Sequence, residues 1–405
     1  MSKRKHHETV MESREFQNNY DAFSDDISGR WTQVFEEIPG KLKSGISALL
    51  PRLAEGLKQE DDHDDSVYTG NTGISLLHLH LHNVFPQGDD LRTSYQYLER
   101  SLQRLKGRRF TFLCGDAGPL ALGSILLNKL GREAESKACL DKLHQLHEAC
   151  LDPGLPDELL YGRGGYLYAL LFAQSHLPDA SIDVRIMEDV YRCIIKSGEA
   201  FSKRERSKSP LMYAWHDKKY IGAAHGLSGI LCLLMQVTLP VAQEYLQSHV
   251  KPSVDYVLEL AFPTGNFPSS LGNNSDRLLH WCHGAPGVIH MLLEAHKVFG
   301  DEKYLEAAKR CGDVIWERGL LRKGYGLCHG TAGNAYAFVA LYQNTKDNKY
   351  MYQAQKFAEW CLDYGKHGCR APDRPYSLFE GMAGTIYFLA DLLNPDAAKF
   401  PAFYF

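Results

Sequence analysis

A Gly-x-x-Gly element recurs seven times along the chain, at Gly70/Gly73, Gly115/Gly118, Gly162/Gly165, Gly226/Gly229, Gly284/Gly287, Gly330/Gly333 and Gly381/Gly384. The first glycines stand 45, 47, 64, 58, 46 and 51 residues apart. One such element says little, but seven at a near-regular interval mark a repeat architecture. Each is followed by a mostly apolar stretch, from "ISLLHLHL" after the first to "NAYAFVAL" and "TIYFLADL" after the last two. Apolar residues fall on nearly every side of these stretches, which predicts helices buried all round. Between them lie segments such as "LRTSYQYLERSLQRL", "REAESKACLDKLHQLH" and "EKYLEAAKRCGDVIWERG". These carry charge on one face and apolar residues on the other, the pattern of a surface helix.

Each repeat therefore supplies an outer amphipathic helix, a glycine turn and an inner buried helix. Seven such pairs predict an all-α fold: an α/α toroid, with seven inner and seven outer helices closed into a double-layered barrel. An open superhelix of helix pairs is the alternative, and the apolar character of the inner helices on most faces favours closure. "ISALLPRLAEGLKQE" is the outer helix before the first turn. Residues 1–30 are expected to form a flexible N-terminal segment and residues 31–405 a single domain. A closed ring buries its own inner helices, so a monomer is expected.

The turns immediately precede the inner helices, so they gather at one end of the barrel. The N–H groups and dipoles of the helix N-termini favour anions there. The residue before each first glycine is Thr69, Cys114, Tyr161, His225, His283, His329 or Glu380. The one before that is Tyr68, Leu113, Leu160, Ala224, Cys282, Cys328 or Phe379. Packing alone does not require Cys-His in two neighbouring repeats and Ala-His in the one before. Two thiolates and an imidazole suit Zn²⁺, and three protein ligands leave a fourth position open, as in catalytic zinc. The two cysteines come from repeats 46 residues apart, so the site exists only when the ring does. Spacing leaves open which of His225, His283 and His329 binds.

Composition narrows the function classes. The net charge is −4 with 23% charged residues, without the basic excess of a nucleic-acid binder. No apolar run reaches the roughly 18 residues of a membrane span. The start, "MSKRKHHETVMESREF", is polar and lacks a signal-peptide core, and Ser2 is not the glycine that myristoylation needs. A cytoplasmic location follows, with peripheral membrane association as a second possibility, and the ten cysteines are expected to be reduced.

With these residues in view, nearly the whole chain resembles the eukaryotic lanthionine synthetase C-like proteins. The resemblance rests on "TFLCGDAGPLA", "LYGRGGYLYALLF", "SPLMYAW", "GAAHGLSGI", "LHWCHGAPGVI", "RKGYGLCHGTAGNAYAF" and "PYSLFEGMAGTIYFLADLL". It implies the same double-layered barrel and one zinc per chain held by Cys282, Cys328 and His329, so that His283 and His225 are not ligands. His225 then stands where the bacterial cyclases carry an active-site histidine, similar to a general acid/base. The bacterial relatives close thioether rings by adding a cysteine thiolate to dehydroalanine or dehydrobutyrine. The eukaryotic proteins resemble glutathione-binding enzymes. The implied activity is zinc-dependent addition of the glutathione thiol to dehydroamino acids in proteins or peptides, and weakly to other electrophiles. The family's glutathione contacts map onto Lys323, Arg370, Ala371, Pro372, Asp373 and Arg14. The chain departs from the family pattern at Gly164 and Ala371, which bears on details of the pocket; the ligand triad is intact.

Three other readings compete. A glutathione-binding zinc adaptor in redox signalling, with SH3-domain partners of the kind proposed for the family, would bind glutathione with little catalysis. A toroidal glycosidase would use paired carboxylates, for which Glu380, Asp157 and Glu158 are available, but it leaves Cys-His unexplained. A prenyltransferase β-subunit would need a partner chain and an Asp-Cys-His ligand set, whereas the set here is Cys-Cys-His.

Overall fold

Each apolar stretch forms a helix that starts at its glycine turn. In this computed structural model, residues 13–60, 63–177 and 182–405 are described, with the side chains of residues 25–36 left aside. Residues 1–12 of the expected flexible segment lie outside the described residues. In chain order the helices are α1 (Asp25–Leu57), α2 (Asn71–Val84), α3 (Asp90–Gln103), α4 (Ala117–Lys129), α5 (Glu133–Gln145), α6 (His147–Cys150), α7 (Arg163–His176) and α8 (Val184–Arg204). Then follow α9 (Leu227–Gln236), α10 (Pro240–Tyr245), α11 (Lys251–Leu258), α12 (Ala285–Phe299), α13 (Glu302–Arg318), α14 (Thr331–Thr345), α15 (Asn348–Leu362) and α16 (Met382–Asp391). No β-strand occurs among the described residues; three isolated bridges are present.

The inner helices are α2, α4, α7, α9, α12, α14 and α16. Burial runs without a break from Ala117 to Leu127 in α4 and from Thr331 to Leu341 in α14, and in α2 it is interrupted only at His78 and His80 before Leu81. Outer helices such as α8 bury one stripe, Met187, Val190, Tyr191, Ile194 and Ile195, whereas α15 is buried without a break from Tyr350 to Gln355. Each inner helix packs against the next, α2 on α4, then α7, α9, α12, α14 and α16, and α16 returns to α2. The ring is closed, as the sequence predicts.

Pairing differs from the expected repeat in one respect. An inner helix makes its hairpin with the outer helix that follows it, as in α2–α3, α4–α5, α12–α13 and α14–α15. The first outer helix, α1, is left over and packs on α16, the last inner helix. The chain's two ends thus complete the seventh pair together.

The second glycine of each turn has a steric task. A Cβ at Gly333 would overlap the carbonyl oxygen of Leu327, and one at Gly287 that of Trp281. The same carbonyl, six residues earlier, faces the second glycine in the other five turns. Each turn folds back so tightly over its helix start that no side chain fits.

Neighbouring turns are joined by backbone hydrogen bonds at the position two before the first glycine. Cys282 N–H donates to Cys328 O (3.2 Å), Cys328 to Phe379 (2.8 Å), Phe379 to Tyr68 (3.0 Å) and Tyr68 to Leu113 (3.0 Å). The two cysteines are therefore held in register by main-chain bonds.

Residues near both ends of the described chain add to the barrel. Residues 13–23 cross the turn end: Phe16 N–H donates to Leu320 O (2.7 Å) and Arg322 N–H to Arg14 O (3.0 Å). The Phe16 ring lies between the Arg322 guanidinium (4.3 Å) and Trp360 (5.2 Å). At the C-terminus, Phe400, Phe403 and Tyr404 enter the barrel beneath the turns. Phe400 stacks on Trp281 (5.1 Å) and packs on Tyr336 (5.0 Å). Tyr404 is held by Tyr168 Oη–H to its carbonyl (2.9 Å), and Gln236 donates to Phe403 O (3.2 Å). The interior is thus filled by side chains.

Candidate functional site

Cys282 and Cys328 occupy equivalent places in the fifth and sixth turns, and their register follows from the Cys282–Cys328 backbone bond. Their sulfurs and a ring nitrogen of His329 lie within 4.8 Å of one another. Both cysteines are buried; His329 is half-buried. Burial, and then the neighbouring Cys282 thiol, push the Cys328 thiol well above its ordinary range. Two thiols this close and this dry do not both ionise unless a cation joins them. The donor set of two sulfurs and one imidazole fits zinc, and three protein donors leave one coordination position for a further ligand. Among the described residues, no other cluster of histidines, cysteines and carboxylates has metal-ligand geometry.

His225 sits one turn away, in the fourth repeat. Its Nδ1 bonds Glu158 Oε2 at 2.7 Å, and its ring stacks on Trp215 at 4.0 Å with planes 3° apart. The carboxylate fixes Nδ1 as the protonated nitrogen and leaves Nε2 for a substrate. Glu158 is itself held. Its Oε2 takes the Leu160 N–H (2.9 Å) and its Oε1 the Tyr161 N–H (2.6 Å). The preceding loop is anchored by the buried Arg163, which donates to Cys150 O (2.8 Å), Leu155 O (3.0 Å) and Asp157 Oδ1 (2.6 Å). Ser197 donates to the other Asp157 oxygen (2.5 Å). Burial raises Asp157 to about 6, against the pull of Arg163.

The remaining histidines line the same mouth. Burial lowers His280 to about 3, and the charges of Lys323, His329 and Arg14 add to the effect. Burial lowers His283 to about 4, followed by His280, His225, Lys323 and His329. Lys323 and His329 thus act on both buried rings, Arg14 on His280 alone and His225 on His283 alone. His283 stacks on Tyr220 (5.5 Å), and its Nδ1 has no hydrogen-bond partner among the described residues. Tyr68 stacks on Phe379 (4.9 Å), and burial, then the neighbouring Cys328 and Cys282 thiols, push its phenol well above the ordinary range.

Arg370 and Asp373 stand on the rim. Arg370 N–H donates to Arg322 O (2.7 Å), so their loop lies against the strand of chain that ends in Lys323. The two side chains are 3.9 Å apart and 74% and 90% exposed, a pairing too wet to hold either of them back from a ligand. Ala371 is exposed and Pro372 half-buried beside them.

Sequence reasoning missed Glu158 as the partner of His225, and it missed Trp215, His280 and Tyr68. A signal for Glu158 was present. In four of the seven turns the side chain four residues before the first glycine accepts the N–H of the residue one before it. Ser66 accepts from Thr69, Thr111 from Cys114 and Ser377 from Glu380. Glu158 fills that same position, and its longer side chain has a second oxygen to spare. His280 is the equivalent residue of the fifth turn.

The family model described as "Lanthionine synthetase C-like protein" matches residues 61–405. The chain is 52% identical over 382 residues to "Glutathione S-transferase LANCL1" of Danio rerio, covering 93% of this chain and 94% of that protein. It is 34% identical over 377 residues to "LanC-like protein GCL1" of Arabidopsis thaliana, covering 89% of this chain and 84% of that one. Among solved structures, "Nisin cyclase" superposes with a TM-score of 0.63 at 16% identity, over 89% of this chain and 95% of that one, a likeness of fold. Repeat, ring and matched residues agree: the chain belongs to the lanthionine synthetase C-like family.

Proposed function

We propose that this protein is a glutathione transferase that adds the glutathione thiol to dehydroalanine or dehydrobutyrine in peptides and proteins, with zinc held by Cys282, Cys328 and His329. The observation that carries the reading is the pairing of two buried, closely set thiols and an imidazole with a carboxylate-oriented histidine at the same mouth. The name of the 52% identical relative supports the glutathione part. Zinc bound to these three side chains would supply a deprotonated, nucleophilic glutathione sulfur at neutral pH.

The chain's own groups account for the rest. In the addition, sulfur bonds to the β-carbon of the dehydroamino acid. The alkene electron pair moves toward the adjacent carbonyl, and the α-carbon then takes a proton. His225 relays that proton: with Nδ1–H held by Glu158, its Nε2 takes the proton that the glutathione thiol gives up and hands it to the α-carbon. One thiol plus one alkene thus give one thioether, with no proton left over. N–H groups at the helix starts steady the developing enolate oxygen. Lys323, Arg370 and Arg14 bind the two glutathione carboxylates, and Asp373 meets the glutamyl ammonium, with Ala371 and Pro372 carrying the loop between them. Binding of this kind converts a bimolecular addition into an oriented one.

Mass spectrometry of a dehydroalanine peptide incubated with the protein and glutathione tests this. A +glutathione adduct made by the wild type and absent with Cys328→Ala is the expected result. Equal, slow adduct formation with and without protein would reject it and leave glutathione as a bound ligand.

A further inference from the structure

A second feature of the mouth is not used by the chemistry above. Tyr68, Thr69, Cys114 and Tyr161, from the first three turns, line a cavity of ≈ 420 Å³ with the basic loop that follows α3. That loop carries Arg104, Lys106, Arg108 and Arg109. The cavity adjoins the Cys282/Cys328 turns, because Tyr68, which lines it, is joined to Cys328 through the backbone bonds of Phe379. Cys114 does not compete as a nucleophile: burial, reinforced by Glu158, raises its thiol to about 12.

Acids also line the cavity, but all are committed. Asp64 accepts from Thr69 Oγ1 (2.5 Å) and Ser66 N (2.9 Å). Asp65 pairs with Arg104 (2.9 Å) and stands 3.9 Å from Lys106. Asp116 takes the Lys106 and Gly107 N–H groups (3.3 and 2.6 Å), which bends the loop into place. Arg108 and Arg109 are left exposed, and neither meets a carboxylate among the described residues. Arg109 lies over the Tyr161 ring (5.1 Å), Tyr161 stacks parallel to Trp215 (5.5 Å, 6°), and Trp215 stacks on His225. A row of flat rings therefore leads from the free cations to the proton donor.

We propose that this cavity and its Arg108/Arg109 rim are a docking groove for the polypeptide substrate, selecting anionic side chains near the dehydroamino acid. The inference rests on the transferase reading and names its substrate class. Backbone and side chains of the peptide lie along Tyr161 and Trp215, the reactive alkene reaches the mouth beside His225, and flanking carboxylates or phosphates meet the two arginines. Exposed cations of this kind act as a selective rim whose effect weakens with salt.

Three fluorescein-labelled peptides test the groove by anisotropy on the full chain, each with alanine at the reactive position. Their flanks are alanine, glutamate or phosphoserine. The glutamate and phosphoserine peptides should bind about tenfold tighter than the alanine one, the worth of two partly screened charge contacts. The advantage should vanish in Arg108→Ala/Arg109→Ala and shrink at high salt. An advantage for phosphoserine alone assigns the rim to phosphate; an equal advantage for both assigns it to anions in general. Equal binding of all three peptides, or a preference that survives in the double variant, overturns the groove.

The same peptides with dehydroalanine separate this from the parent reading. The double variant should raise KM about tenfold for anionic peptides, with kcat and transfer to a small electrophile unchanged. Adducts formed without anionic preference overturn the groove alone. Preferential binding with no adduct from any peptide overturns the transferase reading, and with it the groove's role in presenting substrate.

Discussion

Glu158 shows how a small change of side chain at a repeated position adds a second task to the first. Ser66, Thr111 and Ser377 close their turns with one oxygen, while Glu158 closes its turn and orients His225 with the same carboxylate. Glu158→Gln should keep the turn but offer His225 an amide, lowering kcat about tenfold to a hundredfold with glutathione affinity unchanged. His225→Ala should lower kcat by about 10²–10⁴-fold, the usual worth of a positioned proton donor. Isothermal titration of glutathione beside steady-state kinetics separates the two effects. An unchanged kcat in His225→Ala would remove the histidine from the reaction. Cys328→Ala should empty the metal site, read as loss of zinc in elemental analysis of the purified protein. The two residues before each glycine are visible in the sequence because they sit in a strict alignment. Glu158 and Trp215 were not read, because their role depends on a turn 64 residues away in the chain and on ring stacking that no spacing encodes.

At the level of elements, the C-terminal tail and α12 work as a unit. Phe400 lies beneath Trp281, the residue before Cys282, and both are buried. Phe400→Ala should cost about 3–5 kcal/mol of stability, the range for a large core truncation, and should also weaken zinc retention against a chelator. Retention equal to that of the wild type would uncouple the tail from the metal loop. His290, on α12, is ringed by Phe400, Phe403 and Tyr404, and neither ring nitrogen has a partner among the described residues. Burial lowers it to about 3. The unfolded chain binds its proton near pH 6.5, so the folded state loses stability as pH falls from about 6.5 toward 3. His290→Leu should flatten that part of the acid-denaturation curve and leave the neutral-pH melt equal or higher, since an unpartnered polar group costs about 1–3 kcal/mol. A curve as steep as that of the wild type would show that other groups drive the acid transition. The apolar helices themselves were legible from periodicity alone. The short aromatic tail "FPAFYF" was not, since it has no period and its burial depends on a barrel already formed.

The whole molecule is a ring whose last pair, α16 with α1, joins the two ends of the chain. In an open stack of repeats, terminal units fray independently. Here a cut in the α1 contact should be felt everywhere. Leu49→Ala, at a position 2% exposed on α1, should cost about 2–5 kcal/mol. Helix content and zinc release should then melt together at a lower temperature. Separate transitions, with α1 lost first, would contradict a closed cooperative ring. The number seven and the closure could be read from the glycine turns and the all-round apolar helices. The pairing of inner helices with the outer helices that follow them could not, because periodicity gives each helix a face but not its neighbour.

The filled interior under the turns carries a further consequence. With Trp281, the neighbour of Cys282, stacked on Phe400 and with Phe403 set edge-on against both rings, the toroid is a cup and not a pipe. Nothing can be threaded through it. On the proposed transferase reading, glutathione, its acceptor and the product would all enter and leave by the turn side, and a folded protein would offer only what it can dip into that rim: a loop tip or a loose end.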